Sequence, residues 1–154
     1  MELVSCIAID CPPARVWAFL DDPANIAQWD RGVARVEQSM TLPRGVGFEF
    51  DTIAHDSLNL PDQGRMSYRI TISDSSSHRC VVQLTSRTGN ARYFVSAEWR
   101  FEVDAQGEGS RLTCTAAFIL RRRYFLLAPL LYLKRNAILK DLEFLKKAVE
   151  SYTA

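Results

Sequence analysis

The sequence predicts an α+β domain in which a curved antiparallel sheet wraps around a long C-terminal helix. Three observations predict this class: a strand followed by two short helical segments, a two-residue hydrophobic period from residue 33 to residue 120, and an amphipathic stripe near the C-terminus. The 154 residues fit one domain, because domains cluster at about 100–150 residues. Residues 1–154 are therefore expected to form a single domain with the order β-α-α-β6-α.

The N-terminal segment predicts the strand and the two helices. Residues 3–9 have the composition of a strand, and the Pro-Pro pair that follows ends it. Apolar residues recur at helical spacing over residues 16–20. Asp22 and Pro23 then predict a second short helix, because Asp is a favoured N-cap and Pro suits the first helical turn.

Six strands are expected between residues 33 and 120. A two-residue period is typical of antiparallel strands that place one face on a core and the other in water. Short runs of Gly, Pro, Asn, Asp and Ser separate the strands and predict a meander. The expected inward rows are Phe48-Phe50-Thr52-Ala54, Met66-Tyr68-Ile70-Ile72, Cys80-Val82-Leu84-Ser86, Tyr93-Val95-Ala97-Trp99-Phe101-Val103 and Leu112-Cys114-Ala116-Phe118-Leu120.

The C-terminal segment predicts one long amphipathic helix from about Leu127 to Tyr152. Its apolar stripe must bury against the inner face of the sheet, the one large apolar surface that the pattern offers. Pro129 favours a helix that begins near Ala128, because proline cannot donate a backbone hydrogen bond. The stripe consists of Leu127, Leu131, Ile138, Leu142, Leu145, Val149 and Tyr152.

The composition argues against three classes of protein: disordered, nucleic-acid-binding and membrane-spanning. The chain is 47% hydrophobic and 24% charged, and its formal net charge is +1, which argues against disorder and against a long-range field for nucleic acid. The N-terminus lacks the features of a signal peptide, and no stretch reaches the ~18 apolar residues of a membrane span. These observations predict a cytoplasmic protein that does not bind nucleic acid.

The cysteines predict neither a disulfide framework nor a metal site. The four of them form no CxxC pair, and neither histidine falls at ligand spacing with any of them. In a cytoplasmic chain they are expected to be reduced residues that fill apolar space. No cofactor or metal is expected.

The opening run of the chain resembles the start of the SRPBCC superfamily, and is most similar to the polyketide cyclase/dehydrase-like branch of the START and pollen-allergen fold. The matching residues are Ile7, Ile9-Asp10, Pro12-Pro13, Val16-Trp17, Phe19-Leu20, Asp22-Pro23 and Trp29, with weaker likeness at Gly45–Gly47, Gly109–Thr113 and Leu142–Glu150. The resemblance implies a helix-grip fold with a cavity between the sheet and the last helix. It also implies binding or transport of sterols, lipids, quinones, polyketides or plant hormones, with aromatic cyclisation in a minority of members.

The leading hypothesis is therefore a protein that binds or carries a hydrophobic small molecule (lipid, quinone, sterol or polyketide-like). Small inward residues beside large aromatic ones favour a cavity, and tyrosine hydroxyls can orient a polar ligand group. A filled core is the alternative. The predicted cavity residues are Phe48, Phe50, Tyr68, Tyr93, Trp99, Phe118, Leu131 and Ile138.

An enzyme of the cyclase or dehydratase type is the rival hypothesis. Ring closure or dehydration needs a proton donor or acceptor within hydrogen-bond reach of the substrate. Residues Tyr68, Tyr93, Asp51 and His55 are the candidates, but they form no recognisable constellation. No catalytic residue is assigned from the sequence.

A third hypothesis concerns residues 121–135. Three arginines precede a nearly continuous apolar run, and Lys134-Arg135 follow it. A basic rim around exposed apolar residues suits an anionic bilayer surface, as in a membrane-associated lipid or quinone chaperone. A homodimer interface, or a loop that packs over the cavity mouth, would also account for Arg121–Leu133.

Overall fold

The computed structural model describes residues 1–38, 42–55 and 64–152. Within these ranges no helix is both long enough and apolar enough to cross a membrane. The elements are β1 (Glu2–Ile9), α1 (Pro13–Leu20), a 3₁₀ turn (Pro23–Asn25), α2 (Ile26–Trp29), β2 (Val33–Gln38), β3 (Glu49–Ala54), β4 (Arg65–Asp74), β5 (Arg79–Leu84), a 3₁₀ turn (Gly89–Tyr93), β6 (Phe94–Gln106), β7 (Gly109–Leu120), a 3₁₀ segment (Arg122–Leu127), α3 (Ala128–Leu133) and α4 (Arg135–Ser151).

The strands form one seven-stranded antiparallel sheet in the order β1-β7-β6-β5-β4-β3-β2. Strands β2 to β7 pair with their neighbours in sequence, as the short turns predict, and β1 pairs with β7. The predicted helix-grip architecture is thus confirmed. The sheet presents one face to the helices and leaves the other to solvent.

The core occupies the end of the sheet where β7 begins. Leu142, Leu145 and Val149 of α4 have no exposed surface, and they belong to the same buried cluster as Ile9 and Leu112. Helix α4 packs against β1 and α2, which places its C-terminal half on this cluster. The fully buried residues of α4 all lie at Leu142 or beyond it. The turns of α4 before Leu142 are therefore not buried in the core.

The loop after α1 is held in the predicted way. The Ala24 N–H donates to Asp22 Oδ1 (3.0 Å), and Pro23 occupies the first position of the 3₁₀ turn. The buried Asn25 amide then donates to the Phe19 carbonyl (2.8 Å). These hydrogen bonds stabilise the connection between the short helices α1 and α2, which lie on the inner face of the sheet.

The prediction of one uninterrupted C-terminal helix is wrong. The helix begins at Ala128 as Pro129 indicates, but it breaks at Lys134, whose N–H donates to the Leu131 carbonyl in a tight turn (3.0 Å). Apolar residues occupy almost every position before the break, so a straight helix would not place them all on one buried stripe. The break divides the segment into α3 and α4.

The predicted inward rows of β4 and β6 are each wrong at one end, because a β-bulge shifts the register of the strand there. A bulge between Phe94 and Ser96 turns Phe94 to the inner face and leaves Val95 47% exposed. A second bulge between Ile70 and Ile72 leaves Ile72 exposed as well. One extra residue reverses the facing of every side chain beyond it, and the hydrophobic pattern alone does not reveal it.

Candidate functional site

A cavity of about 730 Å³ lies between the inner face of the sheet and the helices. Its sheet wall comes from β3 to β7 and the first residue of β2, and its other walls from α1, α2, α3 and the N-terminal half of α4. On β7, Cys114 is buried in the core while Phe118, four residues on, faces the cavity. The cavity therefore lies toward the end of the sheet where β7 ends, and the core adjoins it, because Phe50, Tyr68 and Phe101 belong to both.

Aromatic rings form the sheet wall as a connected row. Phe50 stacks on Tyr68 (centroids 5.5 Å apart), Tyr68 meets Trp99 edge to face (5.4 Å), and Trp99 meets Phe118 edge to face (5.4 Å). Such pairs hold their ring planes in preferred orientations. The rings thus present a large, rigid apolar surface to whatever occupies the cavity.

The structure brings seven of the eight predicted cavity residues together. The lining includes Phe50, Tyr68, Tyr93, Trp99, Phe118, Leu131 and Ile138. Phe48 lies in the buried core and does not line the cavity. Tyr93 reaches the cavity from the 3₁₀ turn before β6 rather than from the strand itself. Whether these residues contact a ligand stays a prediction.

Two of the candidate acid–base residues lie away from the cavity. Asp51 pairs with Arg65 (2.5 Å) and is not part of the lining. His55 is exposed just after β3 and also does not line the cavity. Tyr68 and Tyr93 do line it, so the tyrosines are the members of the predicted set that remain in position.

Asp30 is a lining residue that the sequence did not single out. It follows α2, and the Gly32 N–H donates to its Oδ1 (2.9 Å), which forms the turn into β2. Burial raises the pKa of Asp30, and the nearby carboxylate of Asp141 acts in the same direction. The only sequence signal was an Asp two residues before a Gly between helix and strand, a pattern usual for structural turns.

Tyr68 and Asp30 both line the cavity, and the charge of Asp30 affects the Tyr68 hydroxyl. Burial raises the pKa of the Tyr68 hydroxyl, the charge of Asp30 raises it further, and hydrogen bonding to Thr52 opposes the rise. The hydroxyl also lies 3.6 Å from Met66 Sδ. A hydroxyl that stays protonated and a carboxyl on the walls of this apolar cavity supply it with both a hydrogen-bond donor and an acceptor.

The helix side of the cavity carries an ion pair at its edge. Arg31 Nε donates to Asp141 Oδ1 (2.8 Å), which ties the turn after α2 to α4. Ala137 and Ile138 of α4 line the cavity between this pair and Leu131 of α3. The pair is partly exposed, so it marks the rim rather than the interior.

Cys80 is the cysteine of the cavity wall, and it is not a nucleophile there. Burial raises the pKa of its thiol to about 12, so the thiolate is scarce at neutral pH. All four cysteines are free thiols, in agreement with the sequence. The acid–base groups that line the cavity, Asp30, Tyr68 and Tyr93 among them, are therefore the ones that can take part in chemistry there.

The segment after β7 lies at the same end of the molecule. The Arg121 N–H donates to the Tyr93 carbonyl (2.9 Å), and the ring of Tyr124 packs edge to face on Tyr93 (4.9 Å). Leu131 and Lys134, farther along, line the cavity itself. Residues 121–135 therefore border the cavity.

Comparison with solved structures shows the same fold at low sequence identity. A protein from Thermus thermophilus, TTHA0849, is 20% identical with a TM-score of 0.77 over 100% of both chains. Ara h 8.0201 is 12% identical with a TM-score of 0.74 over 99% of both. Norcoclaurine synthase from Thalictrum flavum, in complex with dopamine and hydroxybenzaldehyde, is 10% identical with a TM-score of 0.74 over 100% of this chain and 88% of that one.

At the level of sequence, no curated protein gives a significant match. A family match nevertheless extends over residues 2–150, from β1 almost to the end of α4. It covers every element that builds the sheet, the core and the cavity. The chain belongs to the polyketide cyclase/dehydrase and lipid transport family.

Proposed function

We propose that this protein binds and carries a hydrophobic small molecule of the lipid, quinone, sterol or polyketide-like class in its cavity. The observation that supports this best is the cavity of about 730 Å³, walled by aromatic side chains, where a filled core would otherwise be. Its volume falls within the range of about 300–1,000 Å³ that is usual for small-molecule sites. The family, described as covering lipid transport as well as cyclisation, supports the same function.

A neutral fluorescent probe tests this proposal without knowledge of the natural ligand. N-phenyl-1-naphthylamine fluoresces strongly when it enters an apolar environment, and we expect saturable binding at one site per chain. Long-chain alcohols and ubiquinone analogues should displace it competitively. Binding that never saturates, or that appears only when the protein is partly unfolded, would refute the proposal.

Tyr68→Phe tests whether the Tyr68 hydroxyl contacts the ligand. The variant keeps the ring against Phe50 and Trp99 and removes only the hydroxyl. Losing one neutral hydrogen bond should weaken the binding of a hydroxylated ligand by about 0.5–1.5 kcal/mol. Affinity for N-phenyl-1-naphthylamine should change much less, because its one polar group is a weakly hydrogen-bonding diarylamine N–H. Equal losses for both would show a packing defect instead.

A second candidate function is acid–base catalysis, and Asp30 is the observation that favours it. A carboxyl of raised pKa and a protonated phenol that line the same apolar cavity can supply a general base and a hydrogen-bond donor for proton transfer from carbon. Asp30 would accept the proton from an acidic C–H bond, and Tyr68 would donate a hydrogen bond to the resulting enolate oxygen. Cyclisation or dehydration of a poly-β-carbonyl substrate includes such a step.

Enolisation of benzoylacetone, followed by its absorbance, tests this candidate on a small aromatic β-diketone. A positioned general base accelerates proton transfer by about 10²–10⁴-fold. Asp30→Asn should remove that acceleration, and Asp51→Asn should keep it because Asp51 lies outside the cavity. If wild type and Asp30→Asn enolise the probe at the same rate, the protein is a carrier and not a proton-transfer catalyst.

The raised pKa of Asp30 predicts a pH-dependent gain in stability for Asp30→Asn. The folded chain keeps the proton at pH values where the unfolded chain has lost it, so the ionised carboxylate costs stability as the pH rises through that window. Asparagine keeps an oxygen for the Gly32 N–H. We therefore expect Asp30→Asn to melt at a higher temperature than wild type at neutral pH, and the difference to close below the ordinary Asp pKa of about 3.9.

Thermal unfolding by circular dichroism at neutral and acidic pH measures this difference. Asp104→Asn, at an exposed position on β6, is the matched control and should show no such pH-dependent gain. A wild type that is more stable than Asp30→Asn at neutral pH would mean that Asp30 is needed as a carboxylate. The cavity would then contain a fixed negative charge.

A further inference from the structure

Residues 121–135, here called the basic-apolar segment, contain several large apolar side chains that are exposed to solvent. Phe125, Leu126, Leu130 and Leu133 are 64%, 75%, 59% and 70% exposed. In α4 the exposed large apolar residues Leu139 and Phe144 are 40% and 44% exposed, and Leu142 and Leu145 are fully buried. Exposed apolar side chains concentrated in one short segment in this way indicate an interaction site.

The charge of the segment is of one sign. It contains five basic residues and no acidic residue. Arg122, Arg123, Lys134 and Arg135 are exposed at its two ends, and no described carboxylate lies within ion-pair distance of them. Elsewhere on the surface, arginines such as Arg69 and Arg79 do pair with neighbouring acids. The apolar patch therefore has a basic rim, although the chain as a whole is nearly neutral.

The segment borders the cavity. Leu131 and Lys134 line the cavity, while Leu130 and Leu133 beside them are exposed. A surface that rested on these leucines would have the cavity next to it. A ligand could then pass between that surface and the cavity with little exposure to water.

An anionic lipid surface fits this patch better than a second copy of the chain does. In a two-fold symmetric dimer the same patch faces itself, which would oppose the five basic residues of one copy to those of the other. Like charges across an interface are strongly unfavourable. Anionic phospholipid headgroups attract Lys and Arg, and the acyl region accepts exposed leucine and phenylalanine side chains. Tyr132, 57% exposed, suits the headgroup level.

We infer that the basic-apolar segment docks this protein on an anionic phospholipid bilayer, with the cavity next to the membrane. The inference rests on the proposed carrier function for its purpose, but the docking itself is tested without any cavity ligand. The apolar residues insert into the interface, and the arginines and lysine contact the phosphates. The protein then exchanges its hydrophobic ligand with the bilayer through this face.

Vesicle co-sedimentation provides the test. Vesicles of phosphatidylglycerol with phosphatidylcholine should retain the protein at low salt and release it as the salt concentration rises, and pure phosphatidylcholine should retain much less. Changing Arg122→Gln together with Arg123→Gln should weaken binding by about twenty-fivefold, from about a fivefold contribution of each basic residue near the surface. Changing Leu126→Gln with Leu133→Gln should remove the binding that persists at high salt.

Matched controls lie at the opposite end of the sheet. Arg79 at the start of β5 and Arg111 near the start of β7 lie on either side of β6 and far from residues 121–135, and changing both to Gln removes the same charge. Val46 is 69% exposed there, and Val46→Gln is the control for an apolar residue. Both controls should bind vesicles like wild type, and every variant should still bind N-phenyl-1-naphthylamine.

Three results would overturn the inference. The first is no binding to the anionic vesicles at low salt. The second is an equal loss from the Arg79/Arg111 control, which would show attraction without a defined surface. The third is concentration-dependent dimerisation in analytical ultracentrifugation that Leu126→Gln with Leu133→Gln abolishes, which would assign the patch to a second copy. A loss of probe binding with normal vesicle binding would refute the carrier function instead.

Discussion

Leu145→Ala should lower the free energy of unfolding by about 2–5 kcal/mol. Leu145 has no exposed surface and lies with Leu142 and Val149 in the core beneath the sheet. Removing its side chain loses the transfer free energy of the buried carbons and leaves a cavity that the strands and α4 fill only in part. Urea denaturation followed by tryptophan fluorescence measures the change.

Leu139→Ala on the same helix is the matched control for this prediction. Leu139 is 40% exposed, and its replacement should change the free energy of unfolding by a much smaller amount, since surface substitutions usually stay within about 0.5 kcal/mol. The two variants make the same chemical change in one helix, so they differ only in burial. Equal losses would mean that α4 does not bury the face that the structure shows.

Ala137→Trp should weaken probe binding by more than about tenfold. A tenfold loss of affinity corresponds to a loss of about 1.4 kcal/mol in binding free energy. Ala137 is the smallest α4 residue that lines the cavity, so a tryptophan ring added there would occupy space that a ligand needs. The substitution lies outside the fully buried cluster of Leu142, Leu145 and Val149, and we expect the fold to persist. Titration with N-phenyl-1-naphthylamine gives the affinity.

Leu139→Trp is the control for the blocked cavity. Leu139 lies two residues farther along α4, is partly exposed and does not line the cavity. It adds the same ring to the same helix, and probe affinity should match that of wild type. Equal weakening by both variants would point to a general disturbance of α4, and no weakening by Ala137→Trp would place the probe elsewhere.

The order of the elements could be predicted from the sequence because its signals are local. Asp22 and Pro23 affect only the next few residues in the sequence. Asp22 caps the 3₁₀ turn and Pro23 occupies its first position, as their residue types predict. The two-residue period predicts strands, and short turns leave a meander as the simplest topology. Such features depend on backbone preferences and on neighbours in sequence, so the structure reproduces them.

Register and helix continuity depended on tertiary packing instead. The bulge at residue 95 turns Phe94 toward the cavity, although alternation alone assigns that position to Val95. The break at Lys134 separates a segment that borders the cavity from one that packs in the core. The bulge has no composition signal. The apolar run before Lys134 shows that one buried stripe does not take all of its residues, but it does not locate the break.

The polar groups of the cavity were its least predictable feature. Phe50, Tyr68, Trp99 and Phe118 lie on strands whose alternation predicts their facing, so they could be assigned from the sequence. Asp30 lies in a turn, where an aspartate usually serves the backbone, and it does so here through Gly32. Its second role arises because α2 and β2 bring the turn to the cavity wall. The volume left unfilled depends in the same way on the distance between sheet and helices.

Native mass spectrometry of the purified protein, before and after incubation with a total lipid extract, tests the central claim most directly. We predict a one-to-one complex of the wild-type chain with a small molecule, whose mass then identifies the class of ligand. We predict the same complex for Leu139→Trp and its loss for Ala137→Trp. A wild-type chain that stays at its bare mass after incubation, or an Ala137→Trp chain that holds the molecule equally well, would contradict binding in the cavity.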